Sequence, residues 1–245
     1  MAAPRFFVDP PLAPAPVGDT IELPEACAHH AIRVARLGVG DALTLFDGAG
    51  GEYAATIVRV DRRGAAVRLE RHDAIEREPA LAVTLAQALA ASGAMEYAIR
   101  KATELGVAEI QPLATARSAP VPGGARGDKR LAHWRQIAIA ACEQCGRNRV
   151  PAVHAAQSLA AWLAGWKGEG AVLDPQGEAS LPAITAPAAR FALLIGPEGG
   201  LAAEEIERAR SVGFAAVRLG PRILRTETAG VAALAAIHAL WGDFR

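Results

Sequence analysis

The chain has 245 residues, of which 51% are hydrophobic, so it can bury a substantial core and is not expected to be disordered. Lysine plus arginine and aspartate plus glutamate each number 26, which excludes a strongly basic composition typical of many nucleic-acid-binding proteins. The sequence shows no membrane-length apolar run and no signal-peptide pattern, and its three cysteines argue against a disulfide framework. We therefore expect a cytoplasmic protein.

Basic residues are nevertheless concentrated in two parts of this neutral chain. Residues 59–71 contain five arginines against two carboxylates, and residues 117–149 contain seven basic residues against two carboxylates. Most single arginines of this kind are expected to be solvated surface residues. Because a local basic stripe can neutralise several phosphates, the even charge balance leaves RNA binding open.

The first 73 residues have the pattern of a small all-β domain. Apolar runs are separated by glycine-rich turns, and Arg62-Arg63-Gly64 predicts a tight hairpin turn. Asp73–Pro79 is charged and ends in proline, as is typical of a linker, so we predict domains at residues 1–73 and 74–245. The predicted strands are 42–46, 52–61 and 65–70.

From residue 81 onward, the predicted strands and helices alternate. This alternation indicates an α/β fold in which a mostly parallel sheet carries helices on both faces. The predicted strands are 81–85, 109–113 and 171–174, and the predicted helices are 95–105 and about 128–145.

Two strand–loop–helix units close the chain and are its most informative feature. In the first unit, the apolar run Phe191–Ile195 precedes a loop with the sequence Gly196-Pro-Glu-Gly-Gly200. In the second unit, Phe214–Leu219 precedes Gly220-Pro221. The predicted helices that follow are 202–211 and 226–241.

These two loops predict a binding crevice, since loops at the carboxyl ends of neighbouring strands hold ligands in α/β folds. Thr226 is predicted to cap the second helix. Arg222, Arg225 and Glu227 lie within six residues, which is unusual for an ordinary turn. Either loop alone could be only a tight connection, and neither has the P-loop or G-x-G-x-x-G pattern of nucleotide sites.

The two loops resemble those of a known family. Gly196-Pro-Glu-Gly-Gly200, followed by Leu219-Gly-Pro-Arg-Ile-Leu-Arg-Thr-Glu-Thr-Ala229, is similar to the SPOUT-class methyltransferases that methylate N3 of a uridine in 16S ribosomal RNA. The resemblance extends over nearly the whole chain. A second matching segment comprises Lys101–Val107 and Ile110–Pro112. A third comprises Trp134–Ile137, Ala140–Gln144, Arg147 and Pro151. The N-terminal one comprises His29-His30, Arg33, Arg36 and Gly40-Asp41.

The resemblance implies the architecture and the partners of the protein. It implies a PUA-like RNA-binding β-barrel in residues 1–73 and, in residues 74–245, a SPOUT domain whose C-terminal segment threads a trefoil knot. It implies S-adenosylmethionine as cofactor, 16S ribosomal RNA within the small subunit as partner, and neither a membrane nor a metal. It also implies a homodimer, and the apolar helix at 226–241 is expected near its interface.

The resemblance further implies that the two loops clamp the cofactor. Main-chain groups would contact the adenine edge, while Leu219, Ile223 and Leu224 would pack against the ring. The residues predicted to bind the cofactor are Leu173, Ile195, Gly196, Glu198, Gly199, Gly200, Leu219, Gly220, Ile223 and Leu224.

The implied reaction needs uracil N3 to lose its proton. Arg225 is predicted to stabilise charge that develops on a uracil oxygen, and Glu227 is a candidate base. Alternatively, Glu227 has no catalytic role and only interacts favourably with the helix dipole from the first turn of the helix. For Glu198 we favour a structural role, in which its carboxylate organises the loop by accepting backbone N–H bonds. The residues predicted to bind RNA are Arg33, Arg36, Arg147 and Arg222.

Two local patterns concern a missing basic residue near the predicted site and a pair of cysteines. Ser92–Met95 lacks the basic residue that relatives carry before the matching Lys101 segment, so a side chain expected there is missing. Cys142 and Cys145 form a CxxC pattern, but no second ligand pair lies nearby, so packing is favoured over metal or redox chemistry.

Two alternative functions stay open. The protein could be a related SPOUT enzyme acting on a ribose 2′-hydroxyl or on transfer RNA. It could also be a non-catalytic RNA-binding protein of ribosome assembly that uses only its barrel. The intact pattern of the two loops favours the uracil-N3 methyltransferase.

Overall fold

The computed structural model describes residues 3–9, 12, 15–121 and 123–244. They form two compact units. The first comprises residues up to Glu78 together with Cys142–Val150, and the second comprises Pro79–Ala141 together with the residues from Pro151 onward. The division into separate domains at 1–73 and 74–245 stays a prediction. Within the described ranges, no helix is long and apolar enough to cross a membrane.

The elements of the first unit are β1 (Arg5–Phe7), β2 (Thr20–Glu22), α1 (Glu25–His29), β3 (Ala42–Phe46), β4 (Glu52–Asp61) and β5 (Gly64–Asp73). The described strands form a five-stranded sheet of order β1-β3-β4-β5-β2. The β1–β3 pair is parallel and the other pairs are antiparallel. The short helix α1 continues directly into a π-helical turn at His30–Val34, and the inward face of this segment packs with the strands into one apolar core.

The strands of the second unit are β6 (Ala82–Ala88), β7 (Glu109–Ala114), β8 (Ala152–Val153), β9 (Gln157–Ser158), β10 (Glu169–Leu173), β11 (Arg190–Ile195) and β12 (Phe214–Val217). They form a sheet of order β12-β10-β11-β6-β7-β8, in which β9 also pairs with β7, and every described pair is parallel. Its helices are α2 (Ser92–Glu104), α3 (Gly124–Cys145, whose end belongs to the first unit), α4 (Leu159–Gly165), α5 (Ala203–Ser211) and α6 (Thr226–Trp241).

Helices cover both faces of this parallel sheet. On one face, alternate residues of β11 such as Leu194 pack with Leu163 of α4 and Ala209 of α5. On the opposite face, α6 lies against β6 and β11, where a Cβ at Gly230 would be 3.4 Å from a Leu85 methyl and 3.5 Å from Ile195. Both faces of these strands are therefore buried, as the near-continuous apolar runs predict. The predicted α/β class is confirmed.

Candidate active site

The strands β10, β11 and β12 end together at one edge of the sheet. Leu173 is in register with Val217, and Val172 with Leu194. Because these strands are parallel, the loops that follow them all leave from the same edge. The two glycine loops singled out in the sequence therefore leave from the same edge, but their strands are not neighbours as predicted, because β10 lies between β11 and β12.

The first loop, Gly196–Leu201, needs glycine at two positions for different reasons. A Cβ on Gly196 would lie 3.1 Å from the Leu201 nitrogen, so the backbone approaches itself closely there. Gly200 has a φ of 70°, in the left-handed region that favours glycine. The Gly200 N–H donates to the Pro197 carbonyl at 2.9 Å and closes the turn.

Two side-chain hydrogen bonds tie this loop to neighbouring segments. A carboxylate oxygen of Glu198 accepts the Ala91 N–H at 3.0 Å, just before α2. The guanidinium of Arg117 donates to the Gly199 carbonyl at 2.9 Å. Glu198 therefore accepts a backbone N–H bond, as was favoured for it, whereas the sequence offered no indication of the Arg117 contact.

The start of α6 is tied to the same loop by Thr226. Its hydroxyl donates to the Gly196 carbonyl at 2.6 Å and accepts from the side-chain amide of Gln87 at 2.8 Å. The prediction that Thr226 caps α6 is wrong: Arg225 occupies the N-cap position without a side-chain cap bond, and Thr226 is the first helical residue. The hydroxyl instead joins the start of α6 to the first loop.

Gln87 was missed in the sequence, although a signal for it existed. It is a large polar residue near the end of a mostly apolar strand, and it is buried in the structure. A buried amide requires hydrogen-bond partners, which here are the Thr226 hydroxyl and, at 3.2 Å, the Ala88 carbonyl.

The second loop, Arg218–Arg225, is more open than the first. Gly220 has a φ of 71°, while Leu219 and Leu224 are half-buried. Ile223 is 84% exposed, which is unusual for a large apolar side chain in a loop beside a buried sheet. This loop therefore presents apolar surface that nothing in the described chain covers.

The predicted catalytic pair is close in sequence but not joined by an ion pair. Arg225 is exposed at the N-cap of α6, and Glu227 is half-buried in the first turn. Within the described ranges, neither side chain forms a salt bridge with any residue. The guanidinium of Arg225 is thus available to a ligand, while Glu227 lies where a carboxylate favours the helix dipole.

The arginines predicted to contact RNA differ in exposure. Arg33, Arg36 and Arg222 are exposed. Arg147 is only 4% exposed, and its guanidinium makes a two-pronged contact with the Glu78 carboxylate inside the first unit. Such a buried pair leaves no face of the guanidinium for a phosphate, so the geometry assigns Arg147 a structural role.

The two cysteines of the CxxC pattern differ in burial, since Cys142 is buried and Cys145 is half-buried. Burial raises the pKa of Cys142 to about 12, and its thiol lies 3.6 Å from the Arg149 carbonyl. In the ranges that the structure describes, no group of histidine, cysteine, aspartate and glutamate side chains could hold a metal ion. Cys142 therefore packs in the interior, while a packing role for Cys145 stays a prediction.

Comparison with known proteins identifies the family. A family described as an RNA methyltransferase domain matches residues 76–238, and an RNA methyltransferase PUA domain matches residues 23–70. The ribosomal RNA small subunit methyltransferase E of Mycobacterium bovis is 36% identical over 220 residues, covering 86% of this chain and 83% of that protein.

Solved structures agree over the full length. The ribosomal RNA small subunit methyltransferase E from Neisseria gonorrhoeae, bound to S-adenosyl methionine, is 36% identical with a TM-score of 0.92, and each chain is covered completely. A Legionella pneumophila protein in complex with the bound cofactor SAM is 36% identical with a TM-score of 0.95, again over both whole chains. The chain therefore belongs to the RNA methyltransferase family that includes the ribosomal RNA small subunit methyltransferases E.

Proposed function

We propose that this protein transfers the methyl group of S-adenosylmethionine to N3 of a uridine in 16S ribosomal RNA. The observation that carries the proposal is the Thr226–Gly196 hydrogen bond, which ties both glycine loops into one crevice at the carboxyl edge of the sheet. Full-length relatives bound to S-adenosylmethionine support the choice of cofactor.

The residues of the crevice fit such a cofactor. Gly196, Gly200 and Gly220 leave backbone groups accessible, and the half-buried Leu219 and Leu224 with the exposed Ile223 offer apolar surface to an adenine ring. S-Adenosylmethionine carries no phosphate, which suits loops without a phosphate-binding pattern. We assign main-chain and apolar contacts to Leu173, Ile195, Gly196, Glu198, Gly199, Gly200, Leu219, Gly220, Ile223 and Leu224.

When bound, the cofactor supplies an activated methyl group on a sulfonium. The protein then has to place the uracil in line with that methyl and accommodate the charge left when N3 loses its proton. Arg225, exposed and without a carboxylate partner, stabilises negative charge on a uracil oxygen. Glu227 accepts the N3 proton if its carboxylate reaches the base; otherwise its role is to stabilise α6.

The wider assembly is part of the same proposal. The protein works in the cytoplasm as a homodimer, its C-terminal segment threads a trefoil knot, and its substrate is the assembled small subunit. Support for the dimer comes from α6, whose sequence is apolar almost all round, and from the exposed Leu240 and Phe244 at its end. Arg33, Arg36 and Arg222 contact RNA.

One experiment tests the chemistry and separates the alternatives. The purified protein is incubated with labelled S-adenosylmethionine and either small subunits, naked 16S RNA or transfer RNA, and the modified nucleoside is identified by mass spectrometry. We expect 3-methyluridine in small-subunit RNA. A ribose-methylated nucleoside or modified transfer RNA would identify the related enzyme, and RNA binding without transfer would identify a non-catalytic assembly protein.

A further inference from the structure

The seven surface arginines of residues 25–73 fall into two groups. In one group, the guanidinium of each residue is held by carboxylates at 2.7–3.0 Å. These ion pairs neutralise the arginines within the unit, so a phosphate would have to displace a carboxylate to bind them. The paired residues are Arg59 with Glu22 and Asp61, Arg68 with Glu70, and Arg71 with Asp73.

The other group consists of Arg33, Arg36, Arg62 and Arg63. All four are exposed, and within the described ranges none forms an ion pair or a side-chain hydrogen bond. The division is not explained by position along the chain, because Arg62 and Arg63 lie between the paired Arg59 and Arg68.

The fold brings these four unpaired residues to neighbouring elements. Arg62 and Arg63 form the tip of the β4–β5 hairpin, and a Cβ on the next residue, Gly64, would lie 3.9 Å from the Ala28 side chain in α1. The helical segment that begins with α1 runs without interruption into the π-helical turn that carries Arg33. The hairpin tip therefore packs against the segment that leads to Arg33 and Arg36.

Nearby carboxylates do not offset this positive charge fully. Asp61 contacts Arg59 and accepts the Arg63 N–H at 2.7 Å, and Asp41 accepts the Gly38 N–H at 2.7 Å. Glu22, which also contacts Arg59, and Glu25, at the start of α1, are exposed as well. Counted together, five arginines stand against four carboxylates (Glu22, Glu25, Asp41 and Asp61), so the surface keeps a small net positive charge.

Arg36 supplies a second, independent observation. Its φ of 60° is the left-handed conformation, and it is the one residue other than glycine with a positive φ in the described chain. The Leu37 N–H returns to the Ala31 carbonyl at 3.0 Å, which closes a helix end where glycine is the usual residue. Arginine at this position bears a conformational cost, as residues with a ligand-binding role often do.

We propose that Arg62 and Arg63, together with Arg33 and Arg36, form a phosphate-binding surface for the RNA backbone on the first unit. The proposal rests on the proposed function, since it assigns the RNA contacts of that enzyme. The unpaired arginines carry the electrostatic part of RNA affinity, whereas Arg59, Arg68 and Arg71, in the two strands that the hairpin tip joins, contribute little.

Two charge-matched double variants test this division. Arg62→Gln with Arg63→Gln removes two unpaired charges, and Arg59→Gln with Arg68→Gln removes two paired ones, so the net charge changes equally. Binding to 16S RNA is measured over a range of salt concentrations. The first variant is expected to lower the log–log salt slope by about 0.7–0.9 per lost phosphate contact, while the second leaves it nearly unchanged.

Further controls keep the outcome decisive. The melting temperature and S-adenosylmethionine binding verify that each variant is folded, and Arg62→Lys with Arg63→Lys should restore the slope because it restores the charge. Equal loss in both Gln variants, or no loss in the first, would overturn the surface while leaving the enzyme intact. A wild-type protein that neither binds nor methylates 16S RNA would instead overturn the proposed function, and this inference with it.

Discussion

The hydroxyl of Thr226 lies 2.6 Å from the carbonyl oxygen of Gly196, thirty residues away in sequence. Because the same hydroxyl accepts a bond from Gln87, one side chain joins the end of β6, the first glycine loop and the start of α6. The shape of the crevice therefore depends on a single buried hydroxyl. This contact explains why a threonine follows the arginine at the start of the last helix.

Replacing Thr226 by valine should loosen the cofactor crevice. Valine has the same shape but leaves the Gly196 carbonyl and the Gln87 amide without their partner, which costs about 1–3 kcal/mol. We expect a lower melting temperature and weaker S-adenosylmethionine binding by calorimetry. Thr226→Ser keeps the hydroxyl and should retain most of the affinity; similar losses in both variants would argue that the methyl group, not the hydrogen bond, matters.

Replacing Arg225 by alanine should reduce turnover with little effect on cofactor affinity. Loss of one preorganised donor typically lowers the rate by about two orders of magnitude. Arg222→Ala in the same loop is the matched control, and it should weaken RNA binding while leaving turnover at saturating RNA almost normal. Single-turnover methyl transfer and RNA titration measure the two effects. Arg225→Ala with a normal rate would remove the proposed catalytic role.

Two variants of Arg36 separate the effect of its backbone conformation on stability from the effect of its side-chain charge on RNA binding. Arg36→Gly relieves the left-handed conformation but adds freedom to the unfolded chain, so stability should be unchanged or higher by up to about 1 kcal/mol. Arg36→Ala keeps a Cβ in that conformation and should not be stabilised. Both variants should weaken RNA binding equally. RNA affinity is measured by titration, and stability is measured by urea unfolding. Normal RNA affinity in both would show that the Arg36 side chain does not contact RNA.

Glu52 should make stability depend on acidic pH. Burial alone raises the pKa of Glu52, but hydrogen bonds from Arg77 and Arg5, at 3.0 and 2.6 Å, outweigh it and lower the pKa from 4.5 to about 2. Since the folded-state pKa is lowered, this stabilisation is fully present above pH ~4.5 and is lost as the pH falls towards 2.

Urea unfolding of wild type and Glu52→Gln at several pH values tests this dependence. The variant should be less stable at pH 7 by about 1–3 kcal/mol, and the difference should shrink below pH 4.5. Glu70→Gln is a suitable control because Glu70 pairs with Arg68 at an exposed position, where an ion pair contributes little. A Glu52→Gln difference that stays constant down to pH 2 would contradict the lowered pKa.

The sequence by itself determined the α/β class, the family, and the two glycine loops of the candidate site. Long regular patterns made this possible: Ala42–Phe46 and Glu52–Asp61 were predicted with the bounds they have in the structure. The three-residue strands β1 and β2 and the helix α1 were missed, because a period needs more residues than these elements contain.

Only the tertiary structure decided which polar side chains serve the site. Thr226 and Arg117 contact the first loop, and Gln87 contacts Thr226; these contacts join residues far apart in the chain, which no local pattern encodes. Likewise, Arg147 and Arg62 look equivalent as arginines in basic segments. In the structure, Arg147 is buried and hydrogen-bonded to Glu78, whereas Arg62 is exposed and forms no ion pair within the described ranges. The charge on a side chain is a property of the sequence, but its availability depends on the carboxylate that folding places beside it.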